Sequence, residues 1–478
     1  MAVEPIGAFA LLLGLLILMR GPVVGFYILI PSGLLGSCAV LFLTAIGGAP
    51  IQPAHLMLGF VTLAMFAQPG IPGQMWSALA FPREGFWLLM TALFGAMGAI
   101  LFPRIFAGAA YVSAIGAGDG DGSALLIPLG PTTGNLTQSV YFFGDVVYFL
   151  VCYVFARTRQ GFDVLAHSYF IYCVLNIVFA FVDLATFWTN TSFLLDFMRN
   201  TTYTMHDDTV VNGLKRIVGS FTEASSFGSV TLGTFAFSFR LWLGGVRPAL
   251  TLSVALISLV LLILCTATTA YAALPLMLAL LYCTSLWRLI RGPVPKTVMA
   301  FLLFAPLLFI VISGAIMLIP AIGDQVRAIA DIMLFNKASS QSAAERGTWN
   351  QAALDTFFAT YGLGGGIGSV RASSFLLAVI GNLGVIGGLT YSLFLAMILL
   401  KRSARPLDWY VREVRAAART TCLANIVTNS ISGSLIDLGL SFFMLAALAC
   451  AANETTRTQN VSKEEEEVPN LLVMKLQT

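Results

Sequence analysis

Four cations stand out against the apolar background of this chain. Lys215, Arg216, Arg346 and Arg371 lie in two polar stretches, the first ending in NGLKRIVGSFTEASS and the second reading ERGTWNQAALDTFFATYGLGGGIGSVR, each set between apolar runs. Arginine carries a planar fork of N–H donors that matches phosphate oxygens, so cations grouped near membrane ends suit a diphosphate and offset the charge it gains as a leaving group. The plainer alternative pairs each arginine with Asp355, Glu345 or Glu223 as a structural staple. Taken together, the group favours an anionic ligand.

Groups able to move a proton lie close by in sequence. Glu223, in RIVGSFTEASSFG, reads either as an acceptor for a hydroxyl proton or, with Ser220 and Thr222, as the cap of a helix. His206, in MHDDT, has the intrinsic range of a general base, although a lone loop histidine is more often simply solvated. Asp183, Asp145 and Asp437 fall in or near apolar runs, where an ionisable group is a functional candidate. Asp183 lies within about two turns of its helix end and can reach an arginine of the site. Trp349, Ala353, Phe357 and Tyr361 recur at helical spacing, which predicts a surface helix with these residues on its inner face, ended by the glycines that follow. The GLGGGIG run lacks the Lys-Ser/Thr of a phosphate-binding loop for nucleotides. With three histidines and seven cysteines free of any CxxC, the chain offers no metal site, disulfide framework or cofactor motif.

Composition fixes the setting. The 478 residues are 58% hydrophobic and 10% charged, and the mean hydropathy is +0.87, which only lipid can cover. The chain is therefore expected to be an all-α polytopic membrane protein, and its net charge of +3 gives no reason to expect nucleic acid. At roughly 20 apolar residues per span, about twelve transmembrane helices fit. They form a single transmembrane domain over residues 1–450, followed by a polar tail, 451–478, that reads as disordered. The run at 54–67 is short, and the last, 420–450, is overlong and interrupted by Asn425, Asn429 and Asp437, as in a broken helix. Arg157 and Arg159, Arg240 and Arg247, Arg288 to Lys296, and Lys401 to Arg419 mark loops on one side, the cytoplasm by the positive-inside rule. The long loops 102–138, 189–224 and 320–373, with their short helices, then face outward.

Arg216 with Gly219 and Gly228, and Arg346 with Trp349 and the glycines at 362–368, make the chain resemble the bacterial O-antigen ligase and Wzy-type polysaccharide polymerase superfamily. The resemblance implies a GT-C-like inner-membrane glycosyltransferase that joins polyprenyl diphosphate-linked oligosaccharides at the external face without metal or other cofactor. A chain-length regulator or export proteins would be its partners. Arg216, Arg346, Glu223 and His206 would then be catalytic, and Lys215, Arg371, Trp349 and Asp183 would bind substrate. Ligases of the superfamily carry a histidine where this chain reads VRASSFLLAVIGNLG. Its absence leans toward a polymerase and puts Glu223 ahead of His206 as base. A transporter or flippase of lipid-linked sugars is the main competing reading, with an assembly role in polysaccharide export as the third.

Overall fold

The computed structural model describes residues 2–3, 5–43, 49–113, 126–201, 205, 209–211, 214–321, 323–324, 327, 331, 341–401 and 407–451. His206 and the polar tail beyond 451 lie outside them. Helices dominate: α1 Pro5–Arg20, α2 Pro22–Ser32, α3 Pro53–Phe66, α4 Ile71–Ala78, α5 Glu84–Ile105, α6 Thr133–Phe155, α7 Arg159–Trp188, α8 Ala224–Leu243, α9 Pro248–Leu264, α10 Thr268–Arg291 and α11 Lys296–Leu318. After these come α12 Gln341–Ala359, α13 Phe375–Leu400, α14 Trp409–Ser432 and α15 Leu440–Ala451. Proline opens α2, α3 and α9, where its missing N–H costs nothing, and Asp408 caps α14 by accepting the Tyr410 and Val411 amides.

Among the described residues, α5, α6, α7, α10, α11 and α13 are long and apolar enough to cross a membrane. The pair α3 and α4, bent by 114°, makes a possible seventh span, and α1, α2, α9 and α15 are shorter apolar helices. The chain is a membrane-embedded helical protein. The twelve spans expected from hydropathy are not reached on length and apolarity, because α8 and α14 carry too many Ser, Thr, Asn and Arg residues and others are short. The overlong final run is indeed two helices, α14 and α15, separated by a break at 433–439.

Ion pairs gather the basic loops at one end of the bundle. Arg159 Nη1 lies 3.2 Å from Asp408, Arg240 Nη1 2.7 Å from Glu413, Arg288 Nη2 3.3 Å from Glu413, and Lys401 Nζ 2.7 Å from Glu84. The loops grouped by charge in the sequence therefore share one end. Among the described residues, the opposite end, where α7 finishes, carries short pieces besides α12. They are the antiparallel β1–β2–β3 sheet (Ala2–Val3, Leu41–Leu43, Ala49–Ile51), the hairpins β4–β5 (Tyr111–Val112, Ile127–Pro128) and β6–β7 (Val210–Val211, Leu214–Lys215), and a 3-10 turn at Ser192–Met198.

The predicted surface helix is α12, with its buried face rotated from the expected one. Ala352, Ala353, Thr356 and Thr360 are buried, whereas Tyr361 is 89% exposed. The small face is needed because α12 lies directly on α13: a Cβ on Gly381 would sit 3.1 Å from the Ala353 Cβ. The helix ends with Gly362 N donating to Phe357 O at 2.8 Å and Tyr361 N to Phe358 O at 3.1 Å, a Schellman pattern.

The glycine run beyond it is a packing knot. Gly365 N and Gly366 N donate to the carbonyls of Gly381 and Asn382 at 2.8 and 2.9 Å. A Cβ on Gly366 would meet Gly98 O of α5 at 2.4 Å, and one on Gly368 would meet Gly134 O of α6 at 2.3 Å; both residues have φ near +80° or above. Three helices thus close on this loop, and only glycine permits it. Gly368→Ala is expected to lower the thermal unfolding midpoint, with a cost of about 1–3 kcal/mol or more. Gly347→Ala, in open space on α12, should be neutral or slightly stabilising.

Candidate functional site

The end of the bundle where α7 finishes is organised by one buried carboxylate. Asp183, near the end of α7, is 0% exposed. Its Oδ1 accepts from Lys215 Nζ at 2.6 Å and Arg199 Nη2 at 2.7 Å, and its Oδ2 accepts from the Val218 and Gly219 amides at 3.0 and 3.1 Å. Lys215 Nζ also donates to Asp183 O at 2.9 Å and lies 4.9 Å from the Phe187 ring centre. A carboxylate so loaded with charged and amide donors is fixed in place. Its ligands flank Arg216 on both sides, so the clamp dictates where the backbone of Arg216 sits. Two of the residues read from sequence as substrate-binding, Asp183 and Lys215, are therefore each other's partners in a structural clamp.

Further bonds secure the same segment. Ser37 Oγ donates to Ser220 O at 2.9 Å, Ser220 Oγ donates to Leu34 O at 2.6 Å, and Asn200 exchanges both amide bonds with Ala39. The loop after α2 thereby braces the approach to α8.

Arg216 itself is half-buried, and its Nε is shut off from solvent without an acceptor. Among the described residues its side chain makes no ion pair. Its charge reaches the Cys265 thiol, which burial pushes up to about 11 against the opposing pull of the Ala267 amide and Arg216. Glu223 occupies the N-cap position of α8, with φ −149° and ψ 158°, yet its carboxylate caps nothing and instead accepts from the Ser225 hydroxyl.

Glu223 lines a cavity of about 420 Å³. The walls are the first two turns of α8, the 433–439 break, Asn425 and Asn429 of α14, and Gln52 and His55 at the start of α3. Among the described residues, no lysine or arginine lines it. Among the described residues, no group of three or more His, Cys, Asp or Glu side chains is disposed to hold a metal ion.

The second polar stretch forms a separate group. The Arg371 guanidinium lies 4.2 Å from the centre of the Trp349 ring, whose buried Nε1 meets no acceptor. Arg371 N donates to Ser113 O at 3.0 Å, and Asn350 Oδ1 accepts from Ser373 N at 2.7 Å, which ties α12 to the segment after the glycines. Arg346, half-buried on the same helix, makes no ion pair among the described residues. None of these three lines the Glu223 cavity. Arg346, Trp349 and Arg371 thus stand apart from the cavity that Glu223 lines. What connects them is α13, where Asn382 grips Val370 through both its amide bonds, at 3.1 and 2.7 Å, and Tyr391 Oη donates to Ile436 O in the break at 3.1 Å.

His55 was not singled out from sequence, although an imidazole at the start of an apolar run is a signal of this kind. No family model, curated protein or solved structure matches the chain.

Asp183→Ala strands two buried cations and should cost about 3–5 kcal/mol. Arg216→Ala, which removes a cation with no ion-pair partner among the described residues, should leave the unfolding midpoint within about a degree or raise it. Thermal melts of the two purified variants check the contrast; equal losses would make Arg216 a staple.

Proposed function

We propose that the protein is a bacterial inner-membrane glycosyltransferase of GT-C-like, roughly twelve-span architecture that polymerises polyprenyl diphosphate-linked oligosaccharides. The observation that carries this reading is Arg216: it is fixed by a buried clamp, its side chain has no anionic partner among the described residues, and the same segment runs on to Glu223, which lines a cavity. A protein that holds a cation rigid without satisfying it is prepared for an anion from outside. The site stands at the end opposite the basic loops, which the positive-inside rule makes the external face.

In this reaction an acceptor sugar hydroxyl attacks the anomeric carbon of the donor. The bond from that carbon to the diphosphate oxygen breaks, and both its electrons leave with the polyprenyl diphosphate. Arg216 and Arg346 offset the charge on the departing group, with Arg371 held over Trp349 as a further cation. Glu223, free of any capping role, takes the hydroxyl proton. One displacement inverts the anomeric centre.

The break between α14 and α15 favours a second reading, a flippase for the same lipid-linked sugars, since transporters place broken helices at their binding sites. Purified protein in vesicles with lipid-linked repeat units separates the two. Longer glycans with released polyprenyl diphosphate are expected, whereas translocation without elongation would select the flippase. Arg216→Ala and Arg346→Ala should each lower elongation by about a hundredfold or more. Glu223→Gln should lower kcat with little change in KM.

A further inference from the structure

The break between α14 and α15 lies beside spanning helices rather than beyond their ends. Cys422 Sγ is 4.0 Å from Phe442 O, so α15 begins roughly 15 Å back along α14 from its end at Ser432. Residues 433–439 therefore run as non-helical chain alongside α14. Tyr391 of the spanning helix α13 donates to Ile436 O within this segment at 3.1 Å. Among the described residues, the amides of Ser434, Leu435, Ile436, Asp437 and Leu438 meet no acceptor. Lipid cannot satisfy such groups, and irregular backbone at this depth persists only where it lines a polar space.

That space is the Glu223 cavity, which Ser434, Leu435 and Asp437 line together with Tyr172 from near the middle of α7. Asn425 of α14 also lines it and is 9% exposed. Its backbone carbonyl accepts from Asn429 Nδ2 at 2.8 Å, but its side-chain amide makes no hydrogen bond among the described residues. A buried amide left in this way is costly unless something in the cavity answers both its donor and its acceptor. The first turn of α8, which has no side-chain cap, adds donors at Ser225 and Ser226. Helix α14 ends on the cavity at Ser432, where last-turn carbonyls lack intrahelical partners. Donors and acceptors thus both meet the cavity. Its carboxylates, Glu223 and Asp437, face no lysine or arginine in the described lining.

We infer that the cavity seats a neutral, hydroxyl-rich sugar at the end of the acceptor glycan, with Asn425 and the main chain at 434–438 bonding its ring hydroxyls. A hydroxyl both gives and accepts a hydrogen bond, which suits this mixed lining as neither a phosphate nor a metal ion would. The volume of about 420 Å³ is that of a small-molecule site. Glu223 meets the hydroxyl that reacts, and together with Asp437 it repels uronates and phosphates. The inference rests on the polymerase reading and extends it by naming where the acceptor sugar enters, between α8 and the break, and of what class it is.

Binding without turnover tests it. The full chain is placed in phosphatidylcholine nanodiscs free of alkyl-glycoside detergent. It is titrated calorimetrically with the neutral trisaccharides galactotriose, cellotriose, mannotriose and triacetylchitotriose, and with trigalacturonate, the carboxylate counterpart of the first. At least one neutral trisaccharide is expected to bind about tenfold or more tightly than trigalacturonate. Asn425→Leu, which keeps the size of the side chain and removes its amide, should weaken that binding about five- to tenfold without lowering the unfolding midpoint. Ser229→Phe, which fills the cavity from the α8 wall, should abolish it. Binding of none of the neutral sugars, equal binding of trigalacturonate, or full affinity in both variants would overturn the inference. Displacement of the trisaccharide by undecaprenyl diphosphate would also overturn it, because the cavity would then hold the lipid's headgroup. Elongation of repeat units by protein that binds none of the neutral sugars would sink the cavity assignment alone. Neutral-sugar binding by protein that never elongates would uphold the cavity and sink the polymerase.

Discussion

The end of the bundle where α7 finishes depends on one buried carboxylate, Asp183. Asp183 has no water to solvate it, so it must be met by donors, and the chain supplies four of them from Arg199, Lys215, Val218 and Gly219. Removing the carboxylate would leave two cations uncompensated in a region of low dielectric. That constraint fixes a segment that would otherwise be a loop over the membrane surface, and Arg216 lies inside it. Rigidity at Arg216 is therefore inherited from its neighbours, while its own side chain is left to face something else.

A second constraint is steric. Helices α5, α6 and α13 approach the 362–368 loop so closely that side chains are excluded at Gly366 and Gly368. The same knot, through Asn382, holds the strand-like segment that delivers Arg371 to Trp349. Two cation groups are thus built by different physics, one by charge burial and one by backbone packing. The helix α13 holds the second group through Asn382, and its Tyr391 reaches the break beside the cavity.

Much of the architecture is legible in the sequence because the bilayer imposes a simple rule on apolar runs. The helix at 341–359, the broken final span and the clustering of basic loops follow from periodicity, polar interruptions and charge. The pairing of Asp183 with Lys215 is not legible, since the two stand 32 positions apart and nothing local marks them as partners. For the same reason Lys215 reads as a ligand-binding cation. The glycines read as a turn before Arg371, and their close approach to Gly98 and Gly134 emerges only when three helices are assembled. The cavity collects Gln52, His55, Glu223, Asn425 and Asp437 from distant parts of the chain, so sequence spacing carries no trace of it.

Arg216, held by the clamp with no ion-pair partner among the described residues, is proposed to receive a diphosphate. Calorimetric titration of the purified protein with undecaprenyl diphosphate and undecaprenyl monophosphate, alongside Arg216→Ala of unchanged unfolding midpoint, measures this most directly. The account predicts that the unaltered protein binds the diphosphate about tenfold or more tightly than the monophosphate, and that the variant loses this difference. Equal affinity for the two lipids, or a diphosphate preference that survives the loss of Arg216, would contradict it.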